Sequence, residues 1–89
     1  HLSAQERQDA LALSRTLFQL KQSYSEKPLS QLKEEAYKTL HTAKGIVLEY
    51  IELCNAATLA PAVDKSERII AIVAAKVGKT RLIDNEFLN

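Results

Sequence analysis

The residues best suited to chemistry sit in one short stretch, Lys76-Val77-Gly78-Lys79-Thr80-Arg81. Its cations could hold an anion such as a phosphate by charge and by directed N–H donors. Gly78-Lys79-Thr80 also has the ending of a phosphate-binding P-loop. That motif needs another glycine five residues earlier, and position 73 is valine. It needs a helix afterwards, whereas Arg81-Leu82-Ile83 reads as strand. Without those glycines the nest of backbone N–H groups does not form, so the P-loop reading is dismissed.

The cations remain to be explained. If Gly78 and Lys79 form a two-residue loop, Val77 pairs with Thr80 and Lys76 stands opposite Arg81. Like charges directly opposed are unfavourable. Three explanations stay open: a different loop length, charges that keep a sheet edge from aggregating, or an anion bound between them. Arg81 could instead pair with Asp84, but their i, i+3 spacing puts them on opposite faces of an ideal strand and requires a bulge or bend.

Cys54 and His41 are the other reactive pair, a potential thiolate and its base. A lone cysteine is usually a small apolar filler, and no third residue is marked to orient the histidine. One Cys and two distant His do not approach a zinc spacing. The single Cys54 excludes an internal disulfide and fits a reducing, cytoplasmic compartment.

Composition narrows the classes further. Twelve basic against eleven acidic residues leave a net charge of +1, without the one-sided basic excess of a nucleic-acid binder. The longest wholly apolar run, 69–75, is far short of the ~20 residues a bilayer demands. No secretory signal pattern opens the chain. At 89 residues, 46% hydrophobic and 26% charged, the chain has the size of one small globular domain.

The elements that must position these residues can be read from their periods. Ser3 and Glu6 have the spacing of a capping box. After them Ala10, Leu13, Leu17, Leu20 and Tyr24 form a helical stripe that Leu11 and Phe18 widen. Ser25 to Pro28 breaks this helix. A second one begins near 28–30 and runs to about 43, with Leu29, Leu32, Ala36, Leu40 and Ala43 as its stripe and Gly45 at a left-handed C-terminal cap. A short loop between two stripes implies an antiparallel helical hairpin. Residues 46–53 alternate as a strand with mixed faces. A connection over 55–67 carries one helical turn near 56–59.

Branched residues over 68–77 read as a long strand, and Gly78-Lys79 suits a type II′ turn into a shorter strand over 80–83. Ile69, Ala71, Val73, Ala75 and Val77 fall on one face of the long strand; Ile70, Ile72 and Ala74 fall on the other. Both faces are apolar, so the second needs a cover that this short chain does not obviously supply. Residues 86–89 are expected to fray. The fold class is α+β, a helical hairpin on a three-stranded antiparallel sheet in the order α-α-β-β-β.

Three stretches resemble one family. The run A-A-K-V-G-K-T-R-L-I-D-N at 74–85 is similar to the closing signature Ala-Ala-x-x-Gly-x-Thr-Arg-Leu-Ile-Asp-Asn of the pantoate–β-alanine ligases (pantothenate synthetases). His1-Leu2-Ser3-Ala4-Gln5-Glu6-Arg7 resembles the family's Tyr/His-Leu-Ser-x-x-Glu-Arg. Residues 50–59, Y-I-E-L-C-N-A-A-T-L, resemble Tyr-Val-Glu-Ile-x-Asp-Ala-x-Thr-Leu, with Asn55 in place of the aspartate.

The resemblance implies that residues 1–89 are the C-terminal lid domain of such a ligase. A Rossmann-like nucleotide-binding domain, with a histidine pair and a Ser-Ser-Arg-Asn phosphate motif, would lie upstream as its partner. It also implies the family reaction: pantoate and β-alanine are joined with ATP and Mg²⁺ through a pantoyl adenylate, releasing AMP and pyrophosphate. The parent enzyme would be a homodimer whose contacts lie mainly in the absent domain. The chain alone is then expected to be inactive and to bind no cofactor, and Lys79 and Arg81 are the lid's candidates for touching substrate. The alternative is a free-standing module that pairs with another protein through the hairpin edge.

Overall fold

A computed structural model describes residues 2–89. Ser3 opens the first helix, α1 (Ala4–Ser23), with its hydroxyl accepting the Glu6 N–H at 3.1 Å. Glu6 Oε1 accepts the Ser3 N–H at 2.9 Å, so the capping box predicted from spacing is complete. Leu13, Leu17 and Leu20 from the predicted stripe are buried, joined by Thr16. Leu11 and Phe18 do not widen it. They point to solvent, because their seven-residue spacing draws a second line along the helix, away from the core.

A 3₁₀ turn, Tyr24–Glu26, leads to Pro28, which is the N-cap of α2 (Leu29–His41). Proline suits that point, where its missing N–H costs nothing. Leu32, Ala36 and Leu40 are buried, as the stripe predicts, with Leu29 and Ala43 packed at its ends. Gly45 has the expected positive φ of 80°, but it does not cap the helix. Thr42 is the C-cap, and Gly45 belongs to the separate turn that launches β1.

The strands β1 (Ile46–Asn55), β2 (Ile69–Val77) and β3 (Thr80–Phe87) form an antiparallel sheet in the order β1-β2-β3. The α2 helix lies against β1, and α1 lies against β2 and β3. The core forms between this helical layer and one sheet face, where Ile69, Ala71, Val73, Ala75 and Val77 meet Leu17, Leu32 and Leu40. Each such large side chain removed from water contributes roughly 1.5–3 kcal/mol.

The mixed faces of the first strand have a specific cause. Leu48 pairs with Ala75, yet Tyr50 pairs with Ala74, so Glu49 is the extra residue of a β-bulge. The bulge changes the phase of the alternation. Ile46 and Leu48 face the helices before it; Ile51 and Leu53 face them after it. Without it, Ile51 and Leu53 would turn out to the other face.

The last residues are not frayed. β3 extends four residues beyond the predicted 80–83, and Leu88 is 4% exposed with its N–H donating to Ile69 O at 2.9 Å. The terminal Asn89 side chain accepts the Ile69 N–H through Oδ1 and donates to Glu67 O and the Tyr24 hydroxyl through Nδ2.

Candidate functional site

The hairpin register is the one expected from a two-residue loop: Val77 pairs with Thr80 and Lys76 with Arg81. Gly78 has φ 61°, while Lys79 stays out of the left-handed region, which matches a type II′ turn. The opposed cations are reconciled from a third strand. Glu49, freed by the bulge, accepts the Arg81 Nε–H at 2.7 Å across the face of β2. Its carboxylate, with a smaller contribution from Tyr50, raises the already high pKa of the Arg81 guanidinium. β3 pairs with β2 in unbroken register through Arg81 and Asp84, so these two stay on opposite faces and Arg81 takes Glu49 instead.

Lys76 and Lys79 are exposed and have no ion-pair partner among the described residues. The Gly78-Lys79 turn does not stand alone. Ile46 pairs with Val77, so the Lys44-Gly45 turn lies beside it at the same end of the sheet. Both turns abut the start of α1: a β-carbon at Gly78 would collide with the Glu6 carboxylate, and one at Gly45 with the Asp9 carboxylate. Three segments therefore converge at this end of the sheet, with Lys44 and Lys79 on the two turns beside the start of α1 and Lys76 on the opposite face of the sheet.

The other reactive pair is not brought together. Cys54 is buried near the far end of β1, and burial first, then Glu52, pushes its thiol pKa up. His41 ends α2 near the opposite end of the sheet and stacks on Tyr37, ring centroids 5.1 Å apart. A protonated thiol with no base beside it is not a nucleophile.

A cavity of about 610 Å³ opens at that far end, between the start of α2 and the segment 61–65. Leu29, Leu53, Pro61 and Ala62 form its apolar wall, and the Lys33–Glu52 ion pair (2.9 Å) stands at its side. It has no part in the Lys79 end. The neighbouring loop is tied down by Glu67, whose Oε2 accepts the Val63 and Asp64 N–H groups at 2.7 and 2.9 Å. Asn55 Nδ2 donates to Glu67 Oε1 at 3.0 Å, while Asn55 Oδ1 accepts the Ala57 and Thr58 N–H groups. These hydrogen bonds, led by the one from Asp64, hold the Glu67 pKa below the usual carboxylate range.

The family description pantoate–β-alanine ligase matches residues 1–87. The chain belongs to that family. It is 40% identical to the pantothenate synthetase of Stutzerimonas stutzeri over 96% of this chain and 30% of the relative. It is 37% identical to that of Pseudothermotoga lettingae over 99% of this chain and 32% of the relative. The crystal structure of pantothenate synthetase from Thermus thermophilus shares the fold with a TM-score of 0.89, at 24% identity, over 98% of this chain and 32% of that one. The chain spans about a third of the length of the curated relatives it matches. In those longer relatives the matching region is one part of a larger ligase.

Lys76, Lys79 and Arg81 stand out in the sequence; Glu49, Tyr50 and Glu6, which the fold brings to that end of the sheet, do not. The signal for Glu49 was present as the mixed faces of 46–53. Among the described residues, no group of three or more His, Cys, Asp or Glu side chains could hold a metal ion. No helix of the described residues is long and apolar enough to cross a membrane.

Proposed function

We propose that this chain is the lid domain of a ligase that condenses pantoate with β-alanine through an enzyme-bound pantoyl adenylate. The observation that carries the reading is the family match across residues 1–87, on a chain that spans about a third of the length of its relatives. ATP supplies the activating adenylyl group in that reaction. Among the described residues no group of three or more His, Cys, Asp or Glu side chains could hold a metal ion, so the Mg²⁺ would be held by the larger part of the enzyme.

The contribution of a lid is exclusion of water. A pantoyl adenylate is a mixed anhydride: the β-alanine amine attacks its carbonyl to give pantothenate and AMP, while water attacks the same carbon to give back pantoate and AMP. A domain closing over the site favours the first outcome and strengthens charge interactions beneath it. Lys79 is the leading candidate to meet the phosphates, because it is exposed, has no ion-pair partner among the described residues and lies on the turn beside the start of α1. Arg81 is the second candidate, with its guanidinium already held by Glu49.

The test fuses the 89 residues in place of the matching third of the Stutzerimonas stutzeri enzyme and measures AMP and pantothenate together. A ratio near one is expected, rising when the lid is deleted. Lys79→Ala should raise the KM for ATP several-fold in the fused enzyme. A ratio that is the same with and without the lid would remove the exclusion role, and unchanged kinetics for both Lys79→Ala and Arg81→Ala would dispose of the two residues.

A further inference from the structure

The sheet has helices on one face only, and its other face is apolar where water contact would call for polar residues. Val47, Tyr50, Ile70, Ile72, Ile83 and Phe87 lie on it, with Ile83 and Phe87 56% and 44% exposed. An antiparallel sheet with one wet face normally alternates apolar inward and polar outward. On β3 the alternation is regular, yet two of its four outward positions are Ile83 and Phe87. The bulge at Glu49 adds to the patch by turning Tyr50 outward beside Arg81. Polar groups interrupt it at mid-length only on the edge strands, Glu52 on β1 (paired with Lys33) and Asn85 on β3; otherwise charge sits at the ends, with Arg68 over the Phe87 ring at 4.3 Å at one and Lys76 with the Arg81–Glu49 pair at the other.

The geometry points to this bare face as the surface that docks onto the remaining two thirds of the ligase polypeptide. The inference rests on the lid reading above and names the surface that meets the larger part. Size selects the occupant. With strands about 4.8 Å apart and about 3.3 Å per residue, a face three strands wide and eight residues long covers on the order of 370 Å². Counted on both partners, that is roughly 750 Å², below the ~1,200 Å² of stable association between separate chains. It falls within the roughly 600–1,500 Å² of contacts between domains of one chain, which covalent linkage makes sufficient. An apolar centre with a charged rim also fits such a contact, which must release as well as close. Relatives about three times as long as this chain have the partner surface available within one polypeptide.

The experiment measures maleimide labelling, read site by site by mass spectrometry, of Ile83→Cys on the bare face and Phe18→Cys on the outer side of α1. Each variant is made in the isolated chain and in the fusion with the Stutzerimonas stutzeri enzyme. Labelling of Ile83→Cys should be at least ten-fold slower in the fusion, with Phe18→Cys changed less than two-fold. Equal rates for Ile83→Cys in both proteins overturn the docking face. So does labelling of the isolated chain that slows as concentration rises, with sedimentation showing a dimer, since a second copy would then be the cover. Radical footprinting of Tyr50 and Phe87, compared between the isolated chain and the fusion, repeats the test without introduced cysteines: protection in the fusion supports the docking face, and equal oxidation in both overturns it. Pantothenate formation by the fusion separates the two levels. An active enzyme with freely labelled Ile83→Cys keeps the ligase reading and removes the docking face; a protected face on an inactive enzyme does the reverse.

Discussion

Gly78→Ala probes the junction on which the candidate site is built. Gly78 has φ 61°, and a non-glycine residue there costs about 1–2 kcal/mol. A methyl group would also strike the Glu6 carboxylate, whose other oxygen is committed to the Ser3 N–H. Moving Glu6 aside releases the capping box, for about 1 kcal/mol more. The sum is about 2–3 kcal/mol, or a fall in melting temperature of roughly 8–24 °C for a domain of this size. Thermal and urea unfolding followed by far-UV circular dichroism measure it directly. In a Glu6→Ala background the collision is gone and only the backbone cost remains. The double-mutant cycle should therefore show a coupling of about 1 kcal/mol between residues 72 positions apart in sequence. Zero coupling would refute the seating of Glu6 against the turn, and a neutral Gly78→Ala would refute the type II′ geometry itself.

Other perturbations test the far end. Asn55→Asp, which restores the family's usual carboxylate, removes the donor to Glu67 and opposes two negative charges, so it should destabilise by roughly 1–2 kcal/mol, with Glu67→Gln recovering part of the loss. The folded-state pKa values of Glu67 and Asp64 are depressed, so their contribution is present above the ordinary carboxylate pKa of about 4 and is lost as pH falls through the folded values. Acid unfolding monitored by Tyr fluorescence should show a shallower loss for Glu67→Gln. Leu88→Ala should cost about 2–4 kcal/mol in urea unfolding, since Leu88 is a core residue, whereas a frayed tail would make it silent.

Much of the fold was legible because its signals are local. The capping box needs only Ser3 and Glu6, the helical stripes only one period, and the hairpin only Gly78 between two branched runs, although its register stayed open until the pairing of Lys76 with Arg81 was seen. What escaped was set by tertiary partners. The bulge at Glu49 reads as noise in an alternating pattern until β2 fixes the register. Leu11 and Phe18 share the 3–4 spacings of the true stripe, and only the position of the sheet decides which line is buried. The last residues read as a fraying end from their position alone, yet Leu88 and Asn89 are held by Ile69, Glu67 and Tyr24, all distant in sequence. At the site, Lys79 was legible as a cation on a tight turn. Its setting beside α1 was not, because that requires two glycines to be seen against Glu6 and Asp9.

The central claim is that these residues cover a reaction whose groups belong to the rest of the ligase. The most direct measurement is AMP formation by the folded 89-residue chain given ATP, Mg²⁺, pantoate and β-alanine. No AMP above the protein-free background is expected; sustained AMP and pantothenate production by the chain alone would overturn the lid reading.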